Sequence, residues 1–214
     1  MTAYKQIARK NLAIQMIEHL KKRNMEGYYC ETKKEALENA ISFLPSQCSI
    51  SWGGSESLNE IGFMDYMKVH KDDYQIIDRF AGKTVEEKRE IYGKSTMADY
   101  YFMSANAITK DGIIVNMDGS GNRVACLCHG PNHVVLVIGM NKVAYNLEDA
   151  INRIHLVAGP TNTIRQQMNT PCSKTGSCAD CLSKDCICCN LVITRYNRQD
   201  GRIKVILTGE DLGF

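Results

Sequence analysis

The chain lacks most of the features that assign a protein at sight. No apolar run approaches the roughly 18–20 residues needed to cross a bilayer. The longest, HVVLVIGM at residues 133–140, reads as a buried strand. Basic residues are not clustered: 26 Lys and Arg stand against 24 Asp and Glu, for a formal net charge of +2. Without a basic block or aromatic–basic alternation, nucleic acid is a poor default partner. The opening MTAYKQIARKNLAIQMIEHLKKRN has no uninterrupted apolar core of the signal-peptide kind. That points to the cytoplasm, where thiols stay reduced. No P-loop is present, and the glycines do not form a dinucleotide fingerprint in its strand–helix setting. No Ser–His–Asp or Cys–His constellation can be assembled from spacing. Internal repeats and low-complexity linkers are also missing, so one domain over residues 1–214 is expected, long enough to bury a core without disulfide staples.

Cysteine is the exception to this ordinary composition. Six of the ten fall between residues 172 and 189, in PCSKTGSCADCLSKDCICCN. Cys172, Cys178, Cys181 and Cys188 are spaced C-x5-C-x2-C-x6-C, with Cys186 and Cys189 in addition. A reverse turn within C-x2-C aims two sulfurs at one point, which is half of a tetrahedral zinc site or two corners of an iron–sulfur cluster. Ser173, Gly176 and Ser177 permit tight turns, and Lys174 and Lys184 favour ionised sulfur. Spacing does not choose between zinc and a cluster. A reduced loop without metal, or a pair that oxidises, is the plainer alternative.

Strand-like and helix-like stretches alternate, which argues for an α/β sheet. In the first helix Ile7, Ile14, Ile17 and Leu20 recur at helical spacing and are expected to dock on the core. Residues 27–31 read as a strand, and residues 33–44 as a helix with Thr32 and Glu35 as a capping box. Strands are expected over 48–52, 74–78, 100–104, 113–115 and 134–138, the last central because its apolar run is continuous. Helices are expected over 56–61, 85–92, 123–128, 147–157 and, after a break at Gly159-Pro160, 162–168. Lys110-Asp111-Gly112 is a tight turn. Residues 191–196 and 202–207 read as a terminal pair of strands, with the cysteine segment (170–190) as an inserted loop before them.

Two glycine turns carry the binding chemistry. Gly53-Gly54-Ser55 lies between a strand and a helix, where free amides and glycine backbones suit an anion; Ser55 is equally an ordinary helix cap. In Asp118–Arg123 (DGSGNR), Gly119 and Gly121 open a short helix, and Arg123 either clamps a carboxylate or phosphate with two hydrogen bonds or pairs with Asp118 or Glu60. If both turns meet at one end of the sheet, they form one anion pocket. Glu60 is a candidate acid or base beside it, or a residue that favours the helix dipole. His129 with Cys126 and Cys128 is a weaker metal candidate; Cys126 and Cys128 read as core, and Cys30 and Cys48 as buried thiols. Asn106, Asn116 and Asn122 sit near turns.

SWGGSESLNEIG (51–62), SANAITKDGIIVNMDGSGNRVA (104–125), GPNHVVLVIGMNKV (130–143) and TPCSKTGSCADC (170–181) resemble the LUD family of lactate-utilisation proteins, through nearly the whole chain to the closing GRIKVILTGEDLGF. The resemblance implies an α/β fold of the NagB/RpiA/CoA-transferase-like group. It also implies a link to oxidation of L-lactate to pyruvate beside iron–sulfur partner proteins. It matches Cys172, Cys178, Cys181 and Cys188 to a cysteine motif carried by some members, leaves Cys186 and Cys189 as additions, and makes a ligand role for Asn122 more attractive. The expectation is a redox-associated protein that binds a small carboxylate or phosphate at Gly53, Gly54, Ser55, Gly119, Gly121, Asn122 and Arg123, with a metal or iron–sulfur cluster on the loop. An isomerase or acyl-transfer enzyme with structural zinc, and a non-catalytic ligand or redox sensor, are the other readings. The oligomeric state stays open, a homodimer included.

Overall fold

A computed structural model describes residues 2–214 and resolves the alternation into two sheets. In chain order the elements are α1 (Ala3–Lys22), β1 (Glu26–Cys30), α2 (Lys33–Ser42), β2 (Ser49–Trp52), α3 (Glu56–Glu60), α4 (Phe63–Val69), β3 (Gln75–Ile76) and α5 (Val85–Ser95). There follow β4 (Tyr100–Met103), β5 (Ala107–Thr109), β6 (Ile114–Asp118), α6 (Asn122–Cys128), β7 (His133–Gly139), a 3-10 turn (Met140–Lys142), β8 (Val143–Ala144) and α7 (Leu147–Arg153). A π-helical turn (Ile154–Ala158), α8 (Gly159–Arg165), α9 (Pro171–Thr175), β9 (Asn190–Thr194) and β10 (Ile203–Thr208) complete the chain.

The larger sheet is wholly parallel, in the order β1-β10-β7-β4-β2-β3. The smaller has the order β8-β5-β6-β9, with β6 antiparallel to both its neighbours. As its unbroken apolar run requires, β7 lies inside the parallel sheet with both faces covered. Val134, Leu136 and Ile138 enter one core with α1, while Val135 and Val137 enter the other with α2, α3 and α4. The α/β class and the cysteine-rich C-terminal segment are as expected. No helix among the described residues is long and apolar enough to cross a membrane.

Several expectations are corrected. Helix α1 docks on the core as expected through Leu20 and Ile17, joined by Ala13 and Met16, but Ile7 and Ile14 are 57% and 51% exposed. Helix periodicity alone left the phase of the stripe free. Thr32 caps α2, accepting from the Glu35 amide at 3.2 Å, but the Glu35 carboxylate accepts from Glu31, one residue before the cap. The full capping box occurs instead at Thr84 and Glu87. Gly159-Pro160 does not break the helix: Gly159 is right-handed helical and the chain runs from α7 through the π turn into α8. The wider π turn accommodates a proline that cannot donate its own backbone bond. β9 and β10 are not a pair, because they belong to different sheets. Helix α4 and strand β5 were not expected. Lys110-Asp111-Gly112 closes the β5–β6 hairpin, with Gly112 at φ +87°.

Candidate functional site

In a parallel sheet all strand C-termini point the same way, and the loops that leave them gather at one edge. Here those loops meet. Gly54 and Ser55 follow β2, residues 104–106 follow β4, Lys142 follows β7, and Gly213 and Phe214 lie beyond β10; all line one cleft of about 500 Å³. The smaller sheet adds Asp118, Gly119, Ser120, Asn122 and Arg123 from the end of β6, and the cysteine segment adds Lys184, Asp185, Cys186 and Ile187. The two glycine turns and the cysteine segment thus share one site.

Arg123 holds this arrangement together. Its Nε donates to Asp118 Oδ2 at 3.0 Å. Nη1 donates to the Ser104 carbonyl at 2.9 Å and Asn116 Oδ1 at 2.6 Å, and Nη2 to Asn106 Oδ1 at 3.0 Å and the Met117 carbonyl at 2.8 Å. With five N–H donors in its fork, the guanidinium is fully used by the protein. The expected clamp on a ligand is therefore occupied: Arg123 lines the cleft but ties the β4–β5 connection to the end of β6. Gly53 belongs to the same device. A Cβ there would stand 2.9 Å from Arg123 Cγ and Cδ, and the Gly53 amide already donates to Phe102 at 2.9 Å. Gly53 makes room for the arginine stem and is not part of an anion cradle. Gly121, left-handed at φ +81°, gives its amide to Asp118 Oδ1 at 2.7 Å and starts α6. The far end of α6 is held by Arg202, which donates to the carbonyls of Cys126, Leu127 and Pro131, filling acceptors that a helix end leaves open.

Glu60 sits at the last turn of α3, away from the cleft lining. Its carboxylate pairs with Lys33 at 2.8 Å and accepts from the Gly213 amide at 3.0 Å. It anchors the C-terminal residues, and at a helix C-terminus it does not favour the dipole. Ser55 caps α3, accepting from the Leu58 amide at 3.3 Å, while still lining the cleft. Cys30, Cys48 and Cys126 are buried thiols pushed up to about 11 by burial. Cys128 and His129 are exposed, so the expectation of a core Cys128 fails at the end of α6.

Other cations also line the cleft. Arg79 lines the cleft beside Gly54, where a Cβ would come 3.3 Å from its Nη1, and among the described residues no carboxylate pairs with it. Arg165 is paired with Glu56 at 3.2 Å on the rim, and Lys184 is exposed. Lys142 is 4% exposed; its Nζ donates to Ser57 Oγ at 2.9 Å and Ser104 Oγ at 3.1 Å. Burial first, then the nearby guanidinium groups of Arg153 and Arg123, lower its ammonium to about 7, against a smaller upward pull from Glu60. The one signal for it was a lysine three residues past the end of the most apolar strand, where parallel sheets place ligands.

The cysteine loop is docked, not dangling. Cys172 is buried, with its Sγ 3.2 Å from Thr170 Oγ1 and 3.5 Å from Thr163 Oγ1. The Cys178 amide donates to the His155 carbonyl in the π turn at 3.1 Å, and a Cβ on Gly159 would lie 3.7 Å from Cys188 Sγ. Burial, then the neighbouring Cys186, Cys178 and Cys172, push the Cys188 thiol up to about 12. The sulfurs that raise the Cys188 thiol are those of Cys186, Cys178 and Cys172, while Cys181 acts on Cys186. All ten cysteines are free thiols. Chemically this donor set suits a thiophilic metal, but among the described residues no three His, Cys, Asp or Glu groups stand at ligating positions.

The fold is shared with a solved structure of TM-score above one half. A DUF162 family protein from Deinococcus radiodurans superimposes with a TM-score of 0.54 at 9% identity, over 94% of this chain and 98% of that one. eIF2B delta from Chaetomium thermophilum reaches a TM-score of 0.35 at 14% identity, over 66% of this chain and 53% of that one. No protein with a curated description matches in sequence. The model of the LUD domain matches residues 14–208, and the chain belongs to the LUD domain family.

Proposed function

We propose that this LUD protein is a cytoplasmic, redox-associated component linked to lactate utilisation. It binds a small carboxylate- or phosphate-bearing ligand in the cleft and carries a metal or iron–sulfur cluster on the cysteine loop. One observation carries the reading: the glycine turns, two unpaired cations and the cysteine segment line the same cleft at the strand ends. Arg79 and Lys184 supply positive charge at the mouth, and Gly54, Ser55, Gly119, Ser120 and Asn122 supply backbone and small polar groups at close range. Arg123 keeps those two walls at a fixed distance.

Cys172, Cys178, Cys186 and Cys188 are the residues that would hold zinc or a cluster, with Cys181 within reach through Cys186. A cluster would supply one-electron chemistry beside the ligand, and zinc would supply rigidity. The loop would have to draw its sulfurs together around the ion, since the folded thiols do not already stand at ligating positions. Iron–sulfur proteins are the fitting partners, through the exposed side of the loop at Leu182 and Cys189.

Purification without oxygen, with a visible spectrum and metal analysis, tests the loop. Brown colour with iron and sulfide, or stoichiometric zinc in a colourless sample, supports the reading; folded, metal-free protein removes its metal half. Calorimetric titration with L-lactate, pyruvate and inorganic phosphate tests the cleft, and silence with all three removes the other half.

A further inference from the structure

An ammonium buried as deeply as Lys142 ordinarily pairs with a carboxylate, because desolvating an unpaired charge is costly. None pairs with it among the described residues. Its two partners are hydroxyls, Ser57 on α3 and Ser104 after β4. A hydroxyl both donates and accepts, so the same site holds a neutral amine as well as a charged one. The charged groups that face it are Arg153 from α7 and Arg123 from α6, with Glu60 from α3 the acidic one. Two guanidinium neighbours and burial are the setting in which a lysine becomes a nucleophile at neutral pH. Besides joining α3 to the end of β4 through these two bonds, the residue lines the cleft.

We propose that Lys142 is a catalytic nucleophile that forms an imine with the carbonyl carbon of a small 2-oxo carboxylate bound in the cleft. The proposal rests on the reading of the cleft as an anion site and narrows its ligand class. In the step, the Nζ lone pair of the neutral amine attacks the carbonyl carbon and the carbonyl oxygen takes up a proton. The amine loses its two protons as the C–N bond becomes double, and the former carbonyl oxygen leaves as water. Amine and ketone give imine and water, with no change in oxidation state and no co-reactant. Ser57 and Ser104 are placed to pass the protons, since their hydroxyls already touch Nζ.

The experiment is reductive trapping on the full chain. Protein is incubated with pyruvate or glyoxylate and sodium cyanoborohydride, digested, and mapped by mass. The expected result is a stable adduct concentrated on the peptide that carries Lys142, absent in Lys142→Arg. Adduct spread evenly over the surface lysines, or none, overturns the imine. Titration with oxalate, a dianion with no ketone, separates the two failures. Oxalate binding without a Lys142 adduct rejects the imine and leaves the anion site standing, whereas neither binding nor adduct rejects both.

Discussion

The backbone N–H of Cys189 donates to the carbonyl oxygen of Asp118 at 3.1 Å, and the carboxylate of the same Asp118 accepts from Arg123 Nε and the Gly121 amide. One buried residue therefore fastens the cysteine loop to the cleft wall. Asn190 reinforces the joint, its Nδ2 donating to the Gly119 carbonyl at 3.1 Å, and Ile187 packs on Gly119, 3.3 Å from where a Cβ would be. A change in loop geometry is passed directly to the glycine turn.

Replacing Asp118 tests that joint. Asp118→Ala leaves the Arg123 charge buried without its carboxylate and should cost about 3 kcal/mol or more, read as a lower midpoint in urea denaturation. Asp118→Asn keeps an acceptor for the Gly121 amide and should cost about half as much. In both, hydrogen exchange over residues 184–189 should quicken. Unchanged exchange there would show that the loop does not depend on this residue.

Gly53 and Gly54 are neighbours with opposite expectations. Gly53→Ala drives a methyl against an arginine stem whose fork is held by five hydrogen bonds, and should destabilise by about 1–3 kcal/mol. Gly54→Ala meets only the flexible end of Arg79 and should change stability by about 0.5 kcal/mol or less, while weakening phosphate or carboxylate binding. Equal stability losses at the two sites would contradict the division of roles.

Stability should depend on pH through Lys142. Its folded ammonium is lowered to about 7 from the ordinary 10.5. Below that point both states carry the proton; between about 7 and 10.5 only the unfolded chain does. The unfolded state then binds more protons, so stability rises with pH across this window. Buried Cys30, Cys48 and Cys126, pushed up to about 11 from 9.0, pull the other way above about pH 9. The check is the difference between the native protein and Lys142→Met in denaturant midpoints from pH 6 to 8.5. The native rise should be missing from the variant, and parallel profiles would rule out a titrating Lys142.

Thiol labelling tests the loop's packing. In reduced, metal-free protein, Cys181, lowered by hydrogen bonds at Ser183, should react with limiting iodoacetamide before Cys188, which burial and its sulfur neighbours push up to about 12. Bound metal should slow Cys172, Cys178, Cys186 and Cys188 together. Early labelling of Cys188 would mean that it does not pack against Gly159.

Much of the scaffold was legible because local rules decided it. The run at residues 134–138 had to be a two-sided strand, Thr32 had to start a helix, and Gly112 had to turn. The site was legible only as parts. The residue types in both glycine turns were the right ones, but not which atoms were already spoken for. Arg123 looked like a ligand clamp because sequence shows a guanidinium and not the Ser104, Asn106, Asn116 and Met117 oxygens that consume it. Lys142 carries no such mark in the sequence, because its burial is created by α3, α7 and the residues after β10, all remote in sequence.

The sequence by itself determined the family, the alternating α/β pattern, the cysteine cluster and the two glycine turns, since these follow from residue type and near-neighbour spacing. Only the tertiary structure decided that the glycine turns and the cysteine loop form one cleft, that the Cys186 sulfur accepts from the Cys188 amide, that β9 and β10 part into different sheets, and that Lys142 lines the cleft with only hydroxyl partners among the described residues. Those outcomes depend on contacts across tens of residues and on desolvation, and desolvation is a property of the packed surroundings, which no single stretch of chain contains.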